Sequence, residues 1–118
     1  MKNLITFFSK ISLLVLLLTA GIAHAGEALG GRFVTNVGCH SEDGTCYVFL
    51  SGASFGSTLG CPAGAGRHFR FDNANTENGR RTHASFMAAM LAGKTVDVYV
   101  HGCNVNGIPK LSYFTVNN

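Results

Sequence analysis

The chain has no tryptophan and only two prolines, and Asp, Glu, Lys and Arg together make up just 13% of its 118 residues. No acidic residue precedes Glu27. The longest apolar stretch, residues 11–22, falls short of the roughly 20 residues that a spanning helix needs. There is no Cys-x-x-Cys and no paired-histidine spacing, the patterns on which zinc sites are commonly built. His40 beside Cys39 and His101 near Cys103 are therefore not read as metal ligands. The missing tryptophan removes the largest stacking surface a sugar site could use.

The N-terminus carries the parts of an export signal. Lys2 and Lys10 supply positive charge, Ile11-Ser-Leu-Leu-Val-Leu-Leu-Leu18 is a short apolar run, and Ala23-His-Ala25 places small residues where a signal peptidase reads. Residues 1–25 are expected to be a cleaved signal peptide, with Gly26 as the new N-terminus and residues 26–118 as a single domain. Gly26 is not cysteine, so a lipid anchor is not indicated. The expected location is the periplasm or the extracellular space, without stable membrane insertion after processing. Removing 25 of 118 residues leaves 93, and losing two of nine basic residues lowers the net charge from +3 to about +1. Arg67, Arg70, Arg80 and Arg81 crowd the middle of the chain, but Asp72 and Glu77 lie among them. That mixture reads as a solvated face, not a nucleic-acid footprint.

All four cysteines, Cys39, Cys46, Cys61 and Cys103, lie after the signal. An even number in a short exported chain reads as two disulfides. Of three pairings, Cys39–Cys46 with Cys61–Cys103 is favoured. The first pair brackets His40-Ser-Glu-Asp-Gly-Thr45, a polar segment between two strand-like runs, and the second follows by elimination. Chain-entropy arguments give about 2.5 kcal/mol for the short loop and about 4 kcal/mol for the long one.

Beyond the lead-in of residues 26–31, Arg32-Phe-Val-Thr-Asn-Val37 reads as a strand, and Cys46-Tyr-Val-Phe-Leu50 as a second. Residues 51–66 carry five glycines and Pro62, which marks a long loop or a broken edge strand. Arg67-His-Phe-Arg-Phe-Asp72 alternates as a third strand. Residues 73–79 read as a turn, followed by a helix over residues 82–92. There Thr82 is placed to cap, and His83, Phe86, Met87 and Met90 form one stripe. Gly93 is placed to end the helix, with Lys94 near its negative end. Thr95-Val-Asp-Val-Tyr-Val100 and Lys110-Leu-Ser-Tyr-Phe-Thr-Val116 are the last strands. The fold class is mainly β with one helix (α+β), in the order βββ-α-ββ. Five short strands and one helix suit a small OB-like barrel, in which closure removes sheet edges and the helix plugs one end.

The run Ala84-Ser-Phe-Met-Ala-Ala-Met-Leu-Ala-Gly-Lys-Thr-Val-Asp-Val-Tyr-Val100, a helix ending in Gly-Lys and feeding a valine strand, resembles the matching segment of OB-fold B subunits of bacterial AB toxins. The pertussis-like and subtilase-cytotoxin-like subunits are the nearest in pattern, over residues 61–116. The run also resembles small exported bacterial proteins, in which flanking cysteines imply a bridge like Cys61–Cys103. The resemblance implies a glycan- or protein-binding subunit that assembles as a homo-oligomer. The glycan-pocket residues of the toxins do not map onto this chain, and none is carried over.

Catalytic motifs are wanting. Paired cysteines leave no free thiol nucleophile, and Gly52-Ala-Ser-Phe-Gly56 is read as loop, not as a nucleophile elbow. Gly64-Ala-Gly-Arg67 opens a strand where a phosphate loop would open a helix. Glu42 and Asp43 read as turn residues, and Asp97 as a solvent-exposed strand position. Phe33, Phe49, Phe69, Phe71, Phe86 and Phe114 are expected in the core. Tyr47, Tyr99 and Tyr113, each with one polar end, are the candidate binding surface. The expectation is an exported binding or interaction module, not an enzyme, with no cofactor, no metal and no nucleic-acid partner. The competing classes are a small exported enzyme, an enzyme inhibitor and a structural envelope component. A pocket joining His83 or His101 to a carboxylate would favour an enzyme.

Overall fold

The computed structural model describes residues 25–118, so all of the expected signal peptide except Ala25 lies outside the described residues. The elements are β1 (Glu27–Cys39), β2 (Cys46–Leu50), a single 3-10 turn (Ser57–Leu59), β3 (His68–Phe71), α1 (Glu77–Ala92), β4 (Thr95–Cys103) and β5 (Pro109–Val116). The order is βββ-α-ββ, as expected. The strands close into a ring, β1-β2-β3-β5-β4 and back to β1. Every pairing is antiparallel except β3 with β5, which meet in parallel at Arg70 and Lys110. This is the OB-like barrel that the element order implies.

One strand, β1, serves both halves of the ring. Its first part pairs with β4 and its second with β2. It starts earlier than the expected Arg32, because Gly30 and Gly31 form a bulge and not a lead-in. The register with β4 shifts between Leu29 and Arg32, and Gly31 takes φ 62°. The Gly31 N–H donates to Asp97 Oδ1 at 2.7 Å. A bulge absorbs an extra residue and sharpens the strand's bend, and closure of a small barrel requires such a bend.

The barrel interior follows the strand alternation. Val96, Val98 and Val100 point inward with Val48 and Phe69, all at 2% exposure or less. Phe55 and Leu59 of the long loop are also buried. Phe86 of α1 is fully buried, with its ring centroid 5.4 Å from that of Phe69 and 4.3 Å from that of Phe114. The helix therefore does plug the core, but its start and stripe differ from expectation. Thr76, not Thr82, is the cap, and its side chain accepts from the Gly79 N–H at 3.1 Å. Asn78 and Gly79 read as turn in sequence, yet Gly79 belongs in the first helical turn. It is buried against the backbone of Asn73 and Ala74, where a side chain would collide. The buried face is Gly79, Phe86 and Ala89, with Met90 packed against it and Met87 off it. Gly93 ends the helix at φ 64°, as expected.

Both expected disulfides form. Cys39–Cys46 joins register partners of β1 and β2, and Cys61–Cys103 joins the long loop to the end of β4. Among the described residues, no helix is long and apolar enough to cross a membrane.

Candidate ligand-binding site

Val48 and Phe69 face the core, so strand alternation turns Tyr47, Phe49, His68 and Arg70 outward on neighbouring strands. The register sets Tyr47 opposite Arg70 and Phe49 opposite His68. Phe49 and His68 stack with centroids 4.7 Å apart, Tyr47 meets Phe49 edge-on at 6.0 Å, and His40 meets Tyr47 in the same way. With Asn36 these side chains line a groove of about 330 Å³. Tyr47 lies over Gly38, where any side chain would collide with its phenol. That glycine gives the ring a flat seat.

Two polar groups give the groove its electrostatics. Arg70 has its Nε buried without a hydrogen-bond partner, and among the described residues it makes no ion pair. Burial holds the His68 imidazole below its ordinary value of 6.5, and the Arg70 cation pushes the same way. At neutral pH the groove therefore presents a neutral ring and one unpaired guanidinium.

The loops around this face are tied to each other. Asp72, just after β3, accepts from the Asn104 amide at 3.2 Å and from the Thr45 hydroxyl at 3.4 Å. The Ala74 N–H donates to the Gly44 carbonyl at 3.0 Å. The β1–β2 turn, the approach to α1 and the β4–β5 loop are thereby held together.

Across His40 lies a second, larger concavity of about 660 Å³. The β1–β2 turn forms one wall, with Ser41, Glu42 and Asp43. The start of α1 forms the other, with Arg80 and His83, and Cys46 and Ala74 lie between. The Thr45 backbone N–H at 2.9 Å holds the Asp43 carboxyl below its ordinary range. His83 does share this cleft with carboxylates, but it stands beyond ion-pair distance of both. Among the described residues, neither His40 nor His83 hydrogen-bonds to Ser41, Glu42 or Asp43. No acid–base couple is assembled.

The three tyrosines of the expected binding surface do not gather. Tyr99 and Tyr113 stack on each other across β4 and β5 at 5.0 Å, with Tyr99 over Gly26. Tyr47 sits over Gly38 at the far end of β1. Two of the expected core phenylalanines are also displaced. Phe33 is 51% exposed and Phe49 is half-buried on the outer face, because each occupies an outward register position. The sequence points to none of Asn36, His40, Phe49, His68 and Arg70 as a binding residue: Phe49 reads as core, Arg70 as part of a solvated charged face, and His40 only as a rejected metal ligand. The outward phase of His68 and Arg70 was readable from Phe69 and Phe71, but the partner strand was not. Asp97 is exposed as expected, yet it also holds the β1 bulge, and the Gly31 N–H and the Asn117 amide keep its carboxyl below the ordinary range. Gly52-Ala-Ser-Phe-Gly56 does place a glycine on each side of Ser54 at elbow spacing. A nucleophile elbow is a strand-to-helix turn, whereas Ser54 is an exposed loop residue after β2. Among the described residues, no group of three or more His, Cys, Asp or Glu side chains is placed to hold a metal ion.

We find no match to this chain among protein-family models, curated proteins or solved structures.

Proposed function

We propose that this is an exported binding module that recognises an oligosaccharide on the outer face of β2 and β3. The observation that carries the reading is the aromatic groove of Tyr47, Phe49 and His68 beside the unpaired Arg70. In OB barrels, the face of strands 2 and 3, framed by the β1–β2 and β4–β5 loops, is where oligonucleotides and oligosaccharides dock. Here those loops are tied through Asp72, so the face is pre-organised. Ring faces offer apolar contact to the C–H side of a sugar, while Asn36, Arg70 and the Tyr47 hydroxyl offer hydrogen bonds to its rim. A nucleic acid would need a positive track along the groove, and Arg70 is the one Lys or Arg that lines it.

Export is supported by the signal-like residues 1–25 and by two disulfides, which persist in oxidising compartments. The OB-like barrel is in keeping with the toxin-B-like pattern of residues 84–100, and a binding subunit that serves a separate catalytic chain fits this reading. An enzyme reading has one observation in its favour, the shared cleft of His83 with Glu42 and Asp43. Among the described residues, neither His40 nor His83 hydrogen-bonds to Ser41, Glu42 or Asp43, so no nucleophile–base pair supports it. A glycan array probed with the purified protein tests the binding reading: selective capture of a glycan class supports it, and an array without signal at micromolar protein contradicts it.

A further inference from the structure

A ligand on the β2–β3 face leaves the larger cleft unexplained. Its floor is apolar, formed by Cys46 at 1% exposure and by Ala74 packed on the core. Its walls carry opposite charges. Glu42 and Asp43 stand on the hairpin turn, and Arg80 and His83, which share a helix face at i, i+3, stand on α1. Ion pairs across the cleft would use up these charges. Among the described residues, however, the ion pair within 4.0 Å is Arg81 with Glu77, and neither belongs to the cleft. Residues 1–24 contain no Asp or Glu that could neutralise Arg80. Among the described residues, the Arg80 guanidinium donates to the Asn75 carbonyl at 3.2 Å, which steadies it along the rim. Asp43 uses one oxygen on the Thr45 N–H. The disulfide closes the hairpin wall, and the Ala74–Gly44 bond fixes it to the approach to α1, so the cleft between the walls is preformed.

The geometry points to a binding site for a small zwitterion, with its ammonium toward Glu42 and Asp43 and its carboxylate or phosphate toward Arg80 and His83. Either wall alone is a solvent-screened partner of little strength. A molecule that bridges both makes two sets of charge-assisted hydrogen bonds at once over an apolar floor. A cleft of this volume lies within the range of about 300–1,000 Å³ for small-molecule sites, and it accommodates a short peptide with free termini or a phospho-amine.

Amide chemical-shift titration of the purified protein tests this. The probes are triglycine and O-phosphoethanolamine, with acetate and methylammonium as half-ligands. Saturable shifts at residues 41–44 and 75–83 are expected from at least one zwitterion, bound about tenfold tighter than either half-ligand, or about 1.4 kcal/mol. Saturation by triglycine alone assigns peptide termini, and saturation by O-phosphoethanolamine alone assigns a phospho-amine. Glu42→Gln and Arg80→Gln, both at exposed positions, should each weaken binding about tenfold, whereas Lys94→Ala, at the exposed far end of α1, should leave it unchanged. The inference is overturned if neither zwitterion saturates at millimolar concentration, if a half-ligand binds as tightly, or if both charge variants bind normally. The probes and variants differ from those for the β2–β3 face, so either reading can fail alone.

Discussion

The side-chain amide of Asn104 donates to the carboxylate of Asp72 across 3.2 Å, and this bond joins the β4–β5 loop to the end of β3. Asn104 is 7% exposed, and its Oδ1 also accepts from the Asn106 and Ile108 N–H groups. One side chain therefore shapes its own loop and fastens it beside the proposed ligand face.

Asn104→Ala leaves those backbone donors without their acceptor. It should cost about 1–3 kcal/mol, the usual penalty for stranding buried polar groups. Asp72→Asn, at an exposed position, should cost under about 1 kcal/mol. Urea denaturation of both variants checks the contrast, and equal midpoints would mean that Asn104 does not organise the loop.

Phe86→Ala should cost about 3–5 kcal/mol, because the ring is fully buried between Phe69 and Phe114. Met87→Ala, one residue along but off the core face, should cost well under half of that. Lys94→Ala at the exposed helix end should cost well under about 1 kcal/mol. Chemical denaturation of the three variants reads the ranking, and an unshifted midpoint for Phe86→Ala would show that the helix does not plug the barrel.

The His68 imidazole should titrate below 6.5. Arg70→Gln should raise its midpoint only part of the way back, since burial is the larger cause and the Arg70 charge the smaller. Between the two midpoints the folded protein holds fewer protons than the unfolded chain, so stability rises with pH there. This contribution is complete above 6.5 and is lost as pH falls through the folded midpoint. Proton NMR gives the midpoint. Urea unfolding at pH about 7.5 and about 5 should show a larger acid loss for the native protein than for His68→Asn.

Cys61–Cys103 closes the longer loop and should be the more stabilising bridge, at about 4 kcal/mol against about 2.5 kcal/mol for Cys39–Cys46. Double alanine replacement of each pair, followed by thermal unfolding, compares them. Non-reducing peptide mapping should return these two links.

Where local chemistry and global fold agreed, the sequence was legible. Val96, Val98 and Val100 declare their face by alternation alone, Gly93 marks its helix end, and Cys39 and Cys46 declare a hairpin by bracketing a turn. Errors came where tertiary contacts overrode local preference. Gly30 and Gly31 look like a loop but form a bulge, because Asp97, distant in sequence, supplies the acceptor. Gly79 looks like a turn but is helical, because only hydrogen fits against Asn73. The groove was the least legible part. Phe49 looks like core and His68 like an ordinary strand residue until the β2–β3 register stacks them. Cross-strand register depends on the whole ring, and neither strand alone encodes it.

The central claim is that the ligand lies on β2–β3 and not on the other tyrosine pair. Isothermal titration of the purified protein with the best glycan from the array tests it most directly, using Tyr47→Ala and His68→Ala against Tyr99→Ala and Tyr113→Ala. The account predicts that each of the first two weakens binding about tenfold or more, and that the last two leave it within about twofold. Loss of binding in Tyr99→Ala or Tyr113→Ala, with Tyr47→Ala and His68→Ala unaffected, would contradict it.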